Sequence, residues 1–373
     1  MRGRVKAQPE LFQIISPESF VPAHHPIRGI KTVVDKLLED MSAHFNEMYA
    51  EAGRPSIPPE RILKSRVLMA LYSIRSERLL AEQLRYNFLY RWFLDMNLDE
   101  EPFDHSIFSK NQQRLEEHGV NELFFGLVVE EARLQGWVSD DHFTVDGTLI
   151  DAWASLKSFQ PKEGKKDDHD DDPGNPNVDF HGQKRGNATH QSKSDSEARL
   201  MRKGKGKEAK LCFAGHALME NRHGLCLDFR ITPSVGVTET KAATEMLEDW
   251  KLTNQGRGPA SVGADKGYHN KEFVGYCRDN GIKPHVAPVA GRKTPGLDGR
   301  TTGSMGYQTS QRIRKRVEEI FGWMKSVGGL RQTKYRGVDR NQLWGYMVGA
   351  SYNLLRMAKL GQSPPGVAAA SCN

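Results

Sequence analysis

Cysteine is scarce in this chain. Only Cys212, Cys226, Cys277 and Cys372 occur among 373 residues, and none forms a Cys-x-x-Cys pair. That pattern excludes a zinc ribbon and a secreted disulfide framework, and makes a reducing cytosol the expected compartment. Long apolar runs are also missing. No stretch approaches the length of a membrane span, and Met1-Arg-Gly-Arg-Val-Lys-Ala-Gln-Pro-Glu10 lacks the apolar core of a signal peptide. A soluble, cytoplasmic protein with no membrane partner is the expectation. The 13 histidines include no His-x3-His or His-Glu-x-x-His pattern, so surface or structural roles are the reading for nearly all of them.

Positive charge, by contrast, is in excess. The net charge is +6 and the cations come in clusters. This favours a polyanionic partner, with a mildly basic enzyme lacking one as the alternative. The length allows two domains. Residues 1–136 read as almost entirely helical. Pro58 and Pro59 mark a helix start, and Ile62, Leu63, Val67, Leu68, Leu71 and Ile74 then recur at helical spacing. A polar break at 75–78 precedes a second amphipathic helix carrying Leu80, Leu84, Phe88, Trp92 and Phe93. This pair reads either as a DNA-reading helix-turn-helix or as a plain helical hairpin with a core stripe.

The pattern changes at Gly136-Trp137. His142-Phe-Thr-Val-Asp146 alternates like a strand. From about 156 to 207 the chain is poor in apolar residues, centred on Lys165-Lys-Asp-Asp-His-Asp-Asp-Asp172, and reads as a flexible polar insertion. Two apolar segments around Asn221-Arg-His-Gly224 predict a hairpin. A helix over 239–251, a strand ending at Asp265, a helix over 271–280 and a strand over 283–288 follow. After a Gly-, Thr- and Arg-rich loop (291–309), a helix over 310–325 and a final helix bearing Trp344, Met347, Val348, Leu354 and Leu355 complete an α/β order.

Three carboxylates stand out. Asp146 ends a predicted strand, although Asp-Gly is also an ordinary turn dipeptide. Asp265 ends another, where α/β sheets present functional groups, with capping of the next helix as the plainer role. In Ser310–Lys325, Ile313, Val317, Ile320, Phe321 and Met324 share an apolar face at 100° per residue. Arg314, Glu318 and Lys325 line its border, while Glu319 points away. A surface Glu in a basic helix is most often an ion-pair partner; at the border it is also placed to meet the two aspartates. Together the three make an oxygen-rich set suited to Mg²⁺ or Mn²⁺.

These segments resemble the motifs of bacterial insertion-sequence DDE transposases of the IS-five group. Val145-Asp-Gly-Thr-Leu-Ile-Asp-Ala-Trp-Ala154 is similar to the first acidic motif, Gly263-Ala-Asp-Lys-Gly-Tyr268 to the second, and Arg314-x3-Glu318-x6-Lys325 to the third. Leu211-Cys-Phe-Ala-Gly-His216, Gly328-Gly-Leu-Arg331 and the helical amino-terminal part share the likeness. The resemblance implies an α/β ribonuclease-H-like catalytic domain (137–360, a mixed sheet flanked by helices) after an all-helical end-DNA-binding domain (1–136), with a tail at 361–373. It implies two divalent ions, Mg²⁺ or Mn²⁺, held by Asp146, Asp265 and Glu318. Arg314 and Lys325 are implied phosphate contacts. Lys203, Lys205 and Lys207, in a basic segment next to the sheet, and Arg331, Lys334 and Arg336 extend the expected DNA surface. The implied partners are double-stranded DNA, as terminal inverted repeats and target, and a second copy of the chain on that DNA, in a bacterial, nucleoid-associated setting. No Gly-x4-Gly-Lys-Ser/Thr loop occurs, in keeping with strand transfer that needs no nucleotide cofactor. Gln311 stands where related groups carry Tyr, so that position gives no support to a hairpin intermediate. Two other readings remain beside transposition: a cleavage-silent DNA-binding repressor or domesticated binder, and a nuclease that hydrolyses without joining.

Overall fold

The computed structural model describes residues 16–50, 56–162, 179–180, 183–184, 186–202, 207–234 and 238–362. Lys203, Lys205, the centre of the polar insertion and the tail from 363 lie outside them. Seven helices come first: α1 Ile27–Asp40, α2 Ser42–Glu47, α3 Pro59–Leu71, α4 Glu77–Gln83, α5 Phe88–Phe93, α6 Ser106–Glu117 and α7 Val120–Leu134. In α1, Ile27, Ile30, Val34, Leu37 and Leu38 are buried at helical spacing. The stretch expected as one helix after the polar break is two, because Asn87 caps α5 by accepting from the Tyr90 amide at 3.2 Å. Helix α3 is enclosed. Even Lys64, Ser65 and Arg66 are buried, and Arg66 donates to Asn121 Oδ1 at 3.1 Å. Ile62, Leu63, Val67 and Leu68 of its stripe are core.

Six strands form the main sheet: β1 His142–Asp151, β2 Arg199–Arg202, β3 Ala209–Glu220, β4 Leu225–Pro233, β5 Ser261–Ala264 and β6 Lys283–Val286. The order is β6-β5-β1-β3, with β4 and β2 both pairing β3. β6, β5 and β1 are mutually parallel, whereas β3 is antiparallel to β1 and to β4. Helices α8 Thr238–Thr253 and α9 Lys271–Asp279 make the crossovers. This is a ribonuclease-H-like mixed sheet flanked by helices. Strand β1 outruns its predicted end. It continues through Gly147, opposite His216, to Asp151, opposite Cys212; Asp-Gly forms no turn because the long β3 keeps pairing.

The expected loop at 291–309 is also partly helical. Asp298 caps α10 (Gly299–Thr302) and Ser304 caps α11 (Met305–Ile313), short polar caps that composition alone hides. The helix expected over 310–325 tightens into one 3₁₀ turn at Arg314–Arg316 before α12 (Val317–Ser326). There Arg316 Nη1 donates to the Asn221 carbonyl at 2.7 Å.

The last helix, α13 (Val338–Gln362), packs on β4 and also on α7, α3 and α1. One continuous apolar core therefore runs from Val21 to Met357. No described helix is long and apolar enough to cross a membrane.

Candidate active site

The parallel pairing of β1 with β5 sets the frame. His142, Phe143 and Thr144 face Ser261, Val262 and Gly263. Asp146 and Asp265 each follow the last of these pairs by two residues, and the Asp265 charge acts on Asp146. Both are half-buried. Each carboxylate is held by a glycine amide: Gly147 N donates to Asp146 Oδ1 at 2.8 Å, and Gly267 N to Asp265 Oδ1 at 2.7 Å. Burial, helped by the Asp265 and Glu239 charges and opposed by the Gly147 amide and Arg314, pushes the Asp146 carboxyl up to about 6. Cations compensate such a site, and hard oxygen donors suit a divalent one.

Glu239, absent from the sequence-derived set, is the second residue of α8. Helix α8 packs on the face of β1 that carries Phe143, whose ring meets Trp250 edge-on at 5.2 Å. A Cβ built on Gly147 would stand 3.0 Å from Glu239 Oε1. One built on Gly267 would stand 2.9 Å from Asp265 Oδ1 and 3.7 Å from Glu239 Oε2. Burial and the Asp265 charge raise the Glu239 pKa, although its side chain keeps contact with solvent. The only trace of Glu239 in the sequence is indirect: glycine follows each aspartate closely, leaving room beside it.

The opposite face of β1 receives α11 and α12. Ser310 Oγ lies 3.1 Å from His142 Nε2, and Lys325 Nζ donates to Thr148 Oγ1 at 2.6 Å and to the Leu149 carbonyl at 2.8 Å. The helical segment therefore runs alongside β1 from its first residue to its seventh. Glu318 and Glu319 are both exposed. The charges acting most strongly on Asp146 are those of Asp265, Glu239 and Arg314. Asp146 and Asp265 are thus brought close enough to feel each other's charge, whereas Glu318 is exposed on the flanking helix and is not among the charges acting on Asp146. Among the described residues, no group of three or more His, Cys, Asp or Glu is placed so that it could hold a metal ion. The donors nevertheless fit a hard divalent ion: neighbouring carboxylates, one with a raised pKa, and two glycines whose missing side chains leave space.

Among the cations, Arg314 Nε donates to Gln311 Oε1 at 3.0 Å, and Gln311 Nε2 to the His285 carbonyl at 2.6 Å. Arg331, Arg336 and Lys207 are exposed. Lys334 is turned inward. Its ammonium lies 3.8 Å from the Trp344 ring centroid, and burial lowers its pKa to about 8. A cation desolvated against an indole packs α13 and is not free to reach a phosphate. Trp323 packs, its ring meeting Tyr352 edge-on at 5.6 Å.

A family model described as a transposase domain matches residues 15–114, and one described as a transposase DDE domain matches residues 176–354. Asp265 and Glu318 lie inside the second range and Asp146 upstream of it. No curated protein matches the chain. Among solved structures, a piggyBac transposase synaptic complex with hairpin DNA is 10% identical, with a TM-score of 0.40, over 91% of this chain and 77% of that one. A Mos1 transposase paired-end complex with left transposon end is 11% identical, with a TM-score of 0.21, over 76% of this chain and 79% of that one.

Proposed function

Because the chain belongs to the DDE transposase family, we propose that Asp146, Asp265 and Glu318 hold its catalytic divalent metal while it cuts DNA at the ends of an insertion sequence and joins them to target DNA. The observation that carries this reading is that Asp146 and Asp265, just past the paired register of β1 and β5, lie close enough for the Asp265 charge to act on Asp146. Two Mg²⁺ ions, or Mn²⁺ in their place, would activate the attacking oxygen and neutralise the departing one.

The remaining steps belong to the chain. The Gly147 and Gly267 amides hold one oxygen of each aspartate, leaving the other lone pairs for a cation. Arg314, charged and close to Asp146, offers its guanidinium to the scissile phosphate. Lys325 braces β1 just past Asp146 through Thr148 and the Leu149 carbonyl, and presents positive charge to the same phosphate. Lys203, Lys205, Lys207, Arg331 and Arg336 extend the backbone-contacting surface. Strand transfer conserves phosphodiester energy, so no nucleotide cofactor enters. In this reading residues 1–136 bind the terminal repeats, 137–360 carry the chemistry, two copies pair across two ends, and the protein works at the bacterial nucleoid.

The test uses a supercoiled plasmid carrying the gene with its natural flanking DNA, incubated with purified protein in Mg²⁺ or Mn²⁺. Cuts at matched inverted sequences are expected, absent with chelator. Asp265→Ala is expected to lower scission by about 10³ or more, since the lost contact stabilises transition-state charge by several kcal/mol. Tight DNA binding without scission under either metal would overturn the proposal in favour of a repressor. Scattered nicks without joining would overturn it in favour of a nuclease.

A further inference from the structure

We propose that Glu239 is a further metal ligand of this site, joining Asp146 and Asp265 on a shared divalent ion. The inference rests on the reading of those two aspartates as ligands and adds a residue from a different element. Strand β5 stops at Ala264, so the first turn of α8 meets both aspartate-bearing segments past the strand end. There its carboxylate lies against two glycines: Oε1 where a Gly147 side chain would begin, 3.0 Å away, and Oε2 at 3.7 Å from the same point on Gly267. Any side chain at 147 would press on the carboxylate. Among the described residues Glu239 makes no ion pair, so no Lys or Arg neutralises it where it stands.

A second observation points to a ligand. The Tyr268 hydroxyl is buried, its residue only 1% exposed, and has no hydrogen-bond partner among the described residues. The charges of Glu239, Asp146 and Asp265 all bear on it. A buried hydroxyl left unpaired costs free energy, and a water on a metal held by these carboxylates would satisfy it. Attraction between Glu239 and the start of α8 is the simpler account. It explains a glutamate in any first turn, but not the convergence on two glycines and an orphan hydroxyl.

The experiment is Mn²⁺ binding to the full chain, followed by electron paramagnetic resonance of the free ion, with no DNA present. Glu239→Gln keeps the side chain's size and removes its charge. It is expected to weaken Mn²⁺ binding about tenfold or more, with Asp265→Asn doing the same and circular dichroism unchanged. Wild-type affinity in Glu239→Gln with loss in Asp265→Asn would overturn this inference and leave the proposed function standing. Wild-type affinity in both would overturn the aspartate reading as well. Should Glu239→Gln fail to fold, the wild-type chain decides. Fe²⁺ with ascorbate and peroxide is expected to cut the backbone at 238–240 as well as near 146 and 265; cuts near the aspartates alone would overturn the inference.

Discussion

At the scale of single residues, the absence of a side chain matters as much as its presence. Gly147→Ala removes no carboxylate but sets a methyl 3.0 Å from Glu239 Oε1. The neighbour is the far end of a flexible side chain, so the urea midpoint should stay near wild type. Mn²⁺ affinity should fall several-fold as Glu239 is displaced; unchanged affinity would mean the glycine is there for another reason. His216 invites a different measurement. It is fully buried, its Nε2 lies 2.9 Å from Thr232 Oγ1, and burial lowers its pKa from 6.5 to about 4. Between those values the unfolded chain binds the proton and the folded one does not. The stabilisation is therefore complete above 6.5 and is lost as pH falls towards 4, on the order of 3 kcal/mol. His216→Gln should flatten that acid limb in thermal melts between pH 4 and 7. Lys334 and Arg336, two residues apart, should also part company on DNA. Arg336→Ala should reduce the salt slope of binding by about 1, whereas Lys334→Met, removing a cation that sits on Trp344, should leave it unchanged.

At the scale of elements, close approach between helices decides the packing. Strand β1 is covered by α8 on one face and by α11 and α12 on the other, so Phe143, Thr144 and Val145 are all buried. Helix α12 in turn ends against α13. A Cβ on Gly328 would lie 2.5 Å from Val348 Cγ1 and 3.0 Å from the Met324 carbonyl. Backbone cannot give way as a side-chain tip can, so Gly328→Ala should cost about 1–3 kcal/mol, read as a lower urea midpoint. A midpoint equal to wild type would show that α12 and α13 have slack the structure does not display.

For the whole molecule, α13 is the joint. Trp344, Met347 and Val348 are buried on a helix that touches both β4 and the amino-terminal helices, so the described parts share one core despite a clear change of character at Gly136. A shared core predicts one cooperative transition. Thermal unfolding followed by far-ultraviolet circular dichroism and by tryptophan fluorescence should coincide. Two separated transitions would show that α1–α7 form an independent unit.

Local pattern was enough for much of this protein. The helical repeat of α3, the hairpin of β3 and β4, and the short strand before Asp265 are all legible in the order of residues, because each depends on neighbours within a few positions. The extent of β1 was not, since its last residues are strand only because β3 pairs with them. Nor were the inward turn of Lys334 or the place of Glu239. Lys334 looks like any cation in a basic run until Trp344, ten residues on, comes back beneath it. Glu239 looks like an ordinary first-turn glutamate until α8 crosses the sheet and sets it between two glycines. Contacts made across the chain carry no local signature, and so only the tertiary structure decided which charges stay at the surface, which turn towards the core and which come near Asp146.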